Sequence, residues 1–293
     1  LWAWGRNFEG QLGTGTTVGE LAPVPTGDAD GDGTPDHDWT AVAAGTYHTV
    51  AVKGDGTLWA WGRNLDGQLG DGTRSNRLVP TRVGSDSDWK SVAAGFAFTL
   101  AIKSDGSLWA WGDNYAGQLG TGGSSDELRP VQVSGGIAWK SVTAGLYHTM
   151  AIDAAGQLWG WGHNDYGQLG DGTGLDTPLP MRIGSDVWQS VAAGNYHTAA
   201  IRADGTLWAW GANEWGQLGD GNGGLGIFSL LPVPVDAETD WVDTAAGASH
   251  TVALKADGRL LAWGSNANGQ VGDGTTVDTA VPVEALPDLF DTT

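Results

Sequence analysis

The chain contains no cysteine. That removes disulfide bridges and thiolate chemistry together, and it leaves the redox compartment undetermined. Positive charge is scarce: 14 Lys and Arg stand against 34 Asp and Glu, a net of −20. Nucleic-acid affinity comes largely from Lys and Arg neutralising phosphates, so this balance argues against a DNA or RNA partner. It argues equally against an anionic membrane surface, whereas a partner with a basic face would be steered towards the chain. No run of about 18 apolar residues exists, so no transmembrane helix is expected. There is no nucleophile elbow, no H-E-x-x-H and no Walker loop. No Ser, His and Asp share a motif, and the chain reads as non-enzymatic. Only carboxylate pairs remain open to catalysis, because an acidic chain always offers some.

What is present in excess is glycine and tryptophan, 49 and 17 residues. The tryptophans are regular. The stretch LWAWGRNLDGQLG, residues 58–70, recurs in recognisable form from Leu1, Leu58, Leu108, Leu158, Leu207 and Leu260, a period near fifty. Such a period means a repeat architecture. A complete unit runs DWKSVAAG, FAFTLAIK, a tight SDG turn, LWAWG, DNYAGQLG, a polar loop and PVQV, from Asp88 to Val133. The short β-branched and aromatic runs alternate and are separated by turn residues, which is a strand pattern. Asp-Gly at residues 55–56, 105–106, 204–205 and 257–258 is a strong hairpin signal; one repeat carries Ala155-Gly156 instead. Each unit therefore reads as a four-stranded antiparallel meander. Radial repetition of such units makes an all-β chain, a β-propeller with about six repeats.

The motifs WxSVAAGxxHTxAI, DGxLWAWG and NxxGQLGDGT resemble the repeats of the regulator-of-chromosome-condensation family, called alpha-tubulin-suppressor-like in bacteria. The resemblance covers nearly the whole chain and implies a propeller, seven-bladed in typical members. Six LWAWG halves are present but only five WxSVAAG halves, at Trp39, Trp89, Trp139, Trp188 and Trp241. The chain starts inside a repeat and reads as a fragment: one propeller domain over residues 1–293, cut from a seven-bladed parent, with a closed six-bladed ring as the alternative.

Four features are candidates for a site. His48, His148, His197 and His250 share one repeat position, where the remaining repeat has Phe98. Phenylalanine cannot ligate a metal but can pack like an imidazole, so these histidines read as structural. His163 and His37 have no partner at metal-ligand spacing. The acidic insertion at residues 28–38 reads D-x-D-x-D-G-x-x-D, with Asp28, Asp30, Asp32 and Asp36 as oxygen ligands around Gly33. That spacing suits Ca²⁺, although Trp39 stands where an EF-hand has its bidentate glutamate. The loop resembles those of dockerins and type-three thrombospondin repeats. An ion held only by the native state raises the melting midpoint by mass action. A higher midpoint in excess Ca²⁺ than in chelator is the expected result; equal midpoints at millimolar Ca²⁺ would remove the site. The run Gly221–Gly226 spells GxGxxG, but it lies in the polar loop of a β repeat without the βαβ context that phosphate binding needs.

The fourth feature is a set of paired positions that vary on the fixed frame. Hairpin alternation puts the G-x-x-H and N-x-x-G turns at one end of the meander and the DG turns at the other. The first end carries Phe8, Tyr47, Phe96, Tyr115, Tyr147, Tyr166, Tyr196 and Trp215, mixed with carboxylates. Trp215 is the one tryptophan the repeat does not require. Aromatics and acids varying on a rigid scaffold suggest a recognition surface for a protein, or alternatively a glycan. The propeller-type β-lactamase inhibitor proteins, similar at a distance, carry their partner-binding aromatics on equivalent loops. The family name raises guanine-nucleotide exchange on a small GTPase as an alternative function. The eukaryotic exchange factor uses a protruding wedge hairpin, and the acidic insertion is the one clear insertion seen here. A polysaccharide-processing propeller is the third reading. Excess acid, missing cysteine and the calcium-like loop suggest an extracellular or cell-surface protein.

Overall fold

The computed structural model describes residues 1–27, 37–133 and 136–285. Asp28, Asp30, Asp32 and Asp36, the residues expected to hold calcium, lie outside the described residues. Every regular element among the described residues is a β-strand. The chain forms two compact units, Leu1–Ala144 with Pro178–Pro180, and Gly145–Thr177 with Met181–Thr293.

In the first unit, β1 (Trp2–Gly5) pairs with β2 (Glu20–Pro25). Two four-stranded antiparallel sheets follow in chain order. One is β3 (Trp39–Ala44), β4 (His48–Lys53), β5 (Leu58–Gly62) and β6 (Arg77–Arg82). The other is β7 (Trp89–Ala94), β8 (Phe98–Lys103), β9 (Leu108–Gly112) and β10 (Glu127–Gln132). Strand β11 (Trp139–Ala144) completes the unit. These are the meanders expected, with each sequence run becoming one strand. The second unit continues with β12 (His148–Asp153), β13 (Gln157–Gly162), β14 (Thr177–Ala193), β15 (His197–Arg202), β16 (Leu207–Ala212) and β17 (Phe228–Pro234). It ends in a sheet of β18 (Trp241–Ala246), β19 (His250–Lys255), β20 (Leu260–Gly264) and β21 (Thr279–Glu284). Strand β14 serves two blades. Met181 and Arg182 lie opposite Gly160 and Trp159, while Trp188–Ala193 pair with β15.

The DG turns behave as their chemistry demands. Asp55 Oδ1 accepts from the Thr57 amide and hydroxyl at 2.9 and 2.7 Å, and Trp59 Nε1 then donates to that hydroxyl at 2.8 Å. Gly56 supplies the positive φ of +80°. In the repeat that lacks the aspartate, Asp153 takes over: its carboxylate accepts from the Ala155 and Gln157 amides and from Trp159 Nε1.

Within each unit, neighbouring blades are joined by the buried second tryptophan of LWAWG. Trp111 is fully buried and donates its indole N–H to the Gln68 carbonyl at 2.9 Å. Thr99 donates to the same carbonyl at 2.7 Å and is itself contacted by His48 Nε2 at 2.9 Å. The second unit repeats the relay with Trp210, Thr198 and His148 on Gln168. It does so again with Trp263, Thr251 and His197 on Gln217. Because each threonine hydroxyl spends its proton on the glutamine carbonyl, the imidazole must donate from Nε2. The Nδ1 atoms of His48, His148 and His197 are buried without a partner. The last glycine of Gly-Gln-Leu-Gly is required by the same contact. A Cβ on Gly70 would lie 2.7 Å from Trp111 Nε1, and its φ is +72°.

Candidate functional site

The loops at the G-x-x-H end are built on one buried side chain per repeat. Asn164 accepts from the Leu169 amide at 2.9 Å, and its amide group donates to Asp171 Oδ1 and to the carbonyls of Thr173 and Leu175. Asn64 and Asn266 make the same set. Gln168 Oε1 accepts from the Tyr166 amide and so fixes the turn that carries the variable pair. The two turns are stitched together: the amides of Arg63, Asp113, His163 and Ala212 donate to the carbonyls of Tyr47, Ala97, Tyr147 and Tyr196. Neighbouring G-x-x-H turns bond to one another, Thr46 to Gly95 in the first unit, and Leu146 to Asn195 and Asn195 to Ala248 in the second. In each unit the variable positions therefore share one end of the sheets.

In the first unit Tyr47 sits at the centre. Its ring meets Phe96 edge-on at 5.8 Å, and the guanidinium groups of Arg6 and Arg63 lie over it at 5.2 and 5.6 Å. Arg6 also covers the exposed Phe8 ring at 5.0 Å. Arg63 pairs with Asp66 at 3.4 Å. Tyr115 is exposed, next to Asp113. Burial, then the charges of Asp126 and Asp66, hold the Asp113 carboxyl above its ordinary range. The Tyr47 and Phe96 rings thus pack on their neighbours and stay half-buried.

In the second unit Tyr196 contacts Tyr166 at 5.2 Å and His163 at 6.0 Å, and His163 contacts Tyr147 at 6.4 Å. Tyr166 and Trp215 are exposed. One ligand atom each from His163, Asp165 and Asp176 falls within 4.8 Å of the others, a proximity that the sequence spacing did not disclose. The hydrogen bonds oppose a metal there. Gln168 is oriented by the Tyr166 amide, so its NH₂ points at His163 Nδ1, 2.6 Å away. Nδ1 must accept, and Nε2 therefore carries the proton and points at Asp165 Oδ2, 3.2 Å away. A metal would need Nε2 bare and Nδ1 protonated.

Sequence reasoning missed one feature of this end. The acidic insertion is not the one clear insertion. Asp220 to Val235 spans 15 positions where Asp71 to Val83 spans 12, the two valines each pairing with the first residue of the third strand. The extra residues make a turn over residues 224–227, in which the Ile227 amide donates to Gly224. The turn is fastened to the Trp215 loop, Gly224 donating to Glu214 and Asn213 donating to Ile227. In four other repeats an Asn or Asp side chain twelve residues on caps that asparagine amide, as Asp176 caps Asn164. Here a backbone carbonyl does so, and apolar side chains stand in the open: Leu225 is 88 % exposed, Phe228 46 % and Ile227 41 %, beside Trp215 at 45 %. The sequence signal for this turn is the loop length, not the GxGxxG spelling of its glycines.

The sequence pattern of the RCC1-like domain matches residues 1–292. The ultraviolet-B receptor UVR8 of Arabidopsis thaliana is 46 % identical over 83 residues, covering 28 % of this chain and 18 % of that protein. Human protein RCC2 is 37 % identical over 78 residues, 27 % of this chain and 14 % of that one. The matches thus span less than a fifth of these curated relatives. Among solved structures, human WBSCR16 aligns with a TM-score of 0.83 at 24 % identity, over all of this chain and 81 % of that one. Yeast RCC1 (Prp20), crystallised with Kap60, aligns at 0.69 and 20 % identity, over 99 % and 84 %. At such identities the likeness establishes the fold. The four-stranded blades and the whole-length match agree: this chain belongs to the RCC1-like domain family and is an all-β propeller protein.

Proposed function

We propose that the chain is a non-enzymatic protein-interaction module that binds its partner through the aromatic and acidic turns at the G-x-x-H end of its blades. The observation that carries this reading is the contrast between frame and turn. Asn, Gln and Gly recur as the frame of the loops, while the two variable positions carry Phe8, Tyr47, Phe96 and Tyr115 in one unit and Tyr147, Tyr166, Tyr196 and Trp215 in the other. Half-exposed rings preset by edge contacts lose little conformational entropy on binding, and Tyr and Trp are favoured anchors at interfaces. Family context supports a protein partner: yeast Prp20 was crystallised with Kap60, and its structure was described together with binding to Gsp1p and histones.

The test is affinity capture with two baits, the parent chain and a folded variant with Tyr47, Phe96, Tyr147, Tyr196 and Trp215 replaced by alanine. A partner retained by the parent and lost by the variant is the expected result. Identical captures from both baits would remove the aromatic turns from the interface.

A further inference from the structure

The loops at the G-x-x-H end differ in charge between the units. In the first they carry Arg6, Arg63 and Arg74, with Arg77 and Arg129 on the strands that follow the loops. In the second, the N-x-x-G loops over residues 163–177, 212–228 and 265–279 contain no Lys or Arg, and neither do the turns at 145–147, 194–196 and 247–249. Those same loops hold Asp165, Asp171, Asp176, Glu214, Asp220, Asp273 and Asp278. The second unit's arginines and lysines are engaged in the strands towards the DG turns, Arg202 with Asp186 and Lys255 with Asp240. The exposed Trp215, Leu225, Ile227 and Phe228 thus stand on an end of the unit whose loops carry acid and no Lys or Arg.

Two observations of different kind meet here. A row of carboxylates without counter-charge selects a cationic partner and speeds its approach. An exposed apolar cluster fastened by backbone bonds selects a partner with apolar side chains to cover it. The inserted turn serves the frame only through its backbone, the Ile227 carbonyl capping Asn213, and the exposed side chains of Leu225 and Ile227 have no part in that cap. We propose that the loop end of the second unit docks a cationic polypeptide segment whose apolar side chains cover the Trp215–Leu225–Ile227–Phe228 knob. This rests on the interaction-module reading and names the chemistry of the partner. Asp165 and Glu214, both exposed, contact its basic side chains; Leu225, at the tip of the turn, enters between its apolar ones.

The experiment measures fluorescence anisotropy of labelled peptides with the full chain at physiological salt. The probes are a helical peptide of Lys-Leu-Leu-Lys repeats, its Glu-Leu-Leu-Glu counterpart and its Lys-Ser-Ser-Lys counterpart. The first should bind tightest. Leu225→Asp, at a fully solvated position that the fold does not need, should weaken it about tenfold, and Asp165→Lys with Glu214→Lys by at least as much. Lys90→Ala, at an exposed strand position of the first unit, should leave it unchanged. Equal binding of the three peptides, no binding, or indifference to Leu225→Asp would overturn the proposal. A partner captured through the aromatic turns that ignores both second-unit variants would overturn it while leaving the interaction-module reading intact.

Discussion

Lowering the pH from 7 to 5 is expected to cost the fold about 6 kcal/mol, and replacing His148 by Phe should return about a third of it. Burial lowers the pKa of His48 to about 4, and lowers His148 and His197 to about 3, the charges of His197 and His163 adding to the effect at His148 and that of His250 at His197. The half-buried His250 is lowered as well. Protonation would put a hydrogen on Nδ1, which has no acceptor in the three fully buried rings. An unfolded histidine titrates near 6.5, so below that pH the unfolded chain binds protons that the native chain refuses. Stability is therefore fully present above pH 6.5. It falls by about 1.4 kcal/mol per unit for each buried histidine, down to pH about 4 for His48 and about 3 for the other two. Three rings at 1.5 units below 6.5 give the figure above, large against a typical net stability of about 5–15 kcal/mol.

The chain contains its own precedent for the variant. Phe98 occupies the equivalent position, is fully buried, and faces Gly112 across the sheet as His48 faces Gly62. His148→Phe loses the contact with Thr198 Oγ1, which costs about 1 kcal/mol at pH 7. It should nevertheless equal or exceed the parent at pH 5. Denaturant titrations at the two pH values measure both numbers. An unchanged pH slope in the variant would show that the acid sensitivity lies elsewhere.

The same histidines show what the sequence discloses and what it hides. Their structural role was legible because Phe98 stands among them, and a metal ligand does not alternate with a phenyl ring. The meander was legible because strand alternation and Asp-Gly turns are local. The Ala155 turn was not, because the carboxylate that replaces Asp comes from the preceding strand at Asp153, and nothing local announces the exchange. The aromatic turn positions could be placed at one end by counting hairpins. Their contacts could not, because Tyr166 meets Tyr196, thirty positions on, through a blade-to-blade distance that no motif encodes. The turn at residues 224–227 was misjudged for the opposite reason. Its glycines spell a phosphate motif, whereas its structural content lies in the loop's extra length and in Leu225, Ile227 and Phe228.

Asn164→Ala should destabilise the second unit by about 3–5 kcal/mol, more than any substitution at the variable positions that the same loop presents. The side chain is wholly buried and satisfies the Leu169 amide and the Thr173 and Leu175 carbonyls at once. Alanine leaves these groups unpaired in a space too enclosed to hydrate them freely, and an unpaired buried group costs about 1–3 kcal/mol. Asn164→Asp has the same shape and should be worse at neutral pH. It keeps the acceptor for Leu169 but turns a second oxygen towards Asp171 Oδ1, 3.0 Å from the present nitrogen, and towards the carbonyls. Tyr166→Ala, by contrast, removes an exposed ring and should shift stability by about 0.5–1.5 kcal/mol, the worth of one aromatic pair. Amide hydrogen exchange at Leu169 separates the cases, since only Asn164→Ala removes its acceptor. Fast exchange in Asn164→Ala with slow exchange in Tyr166→Ala is the expected pattern. Slow exchange in Asn164→Ala would mean that the loop stands without its asparagine. The division of labour, one buried amide carrying the geometry and two exposed positions carrying none of it, would then be wrong. If the pattern holds, it explains how these turns hold Tyr-His-Asp in one repeat and Trp-Glu in another without altering the blade beneath.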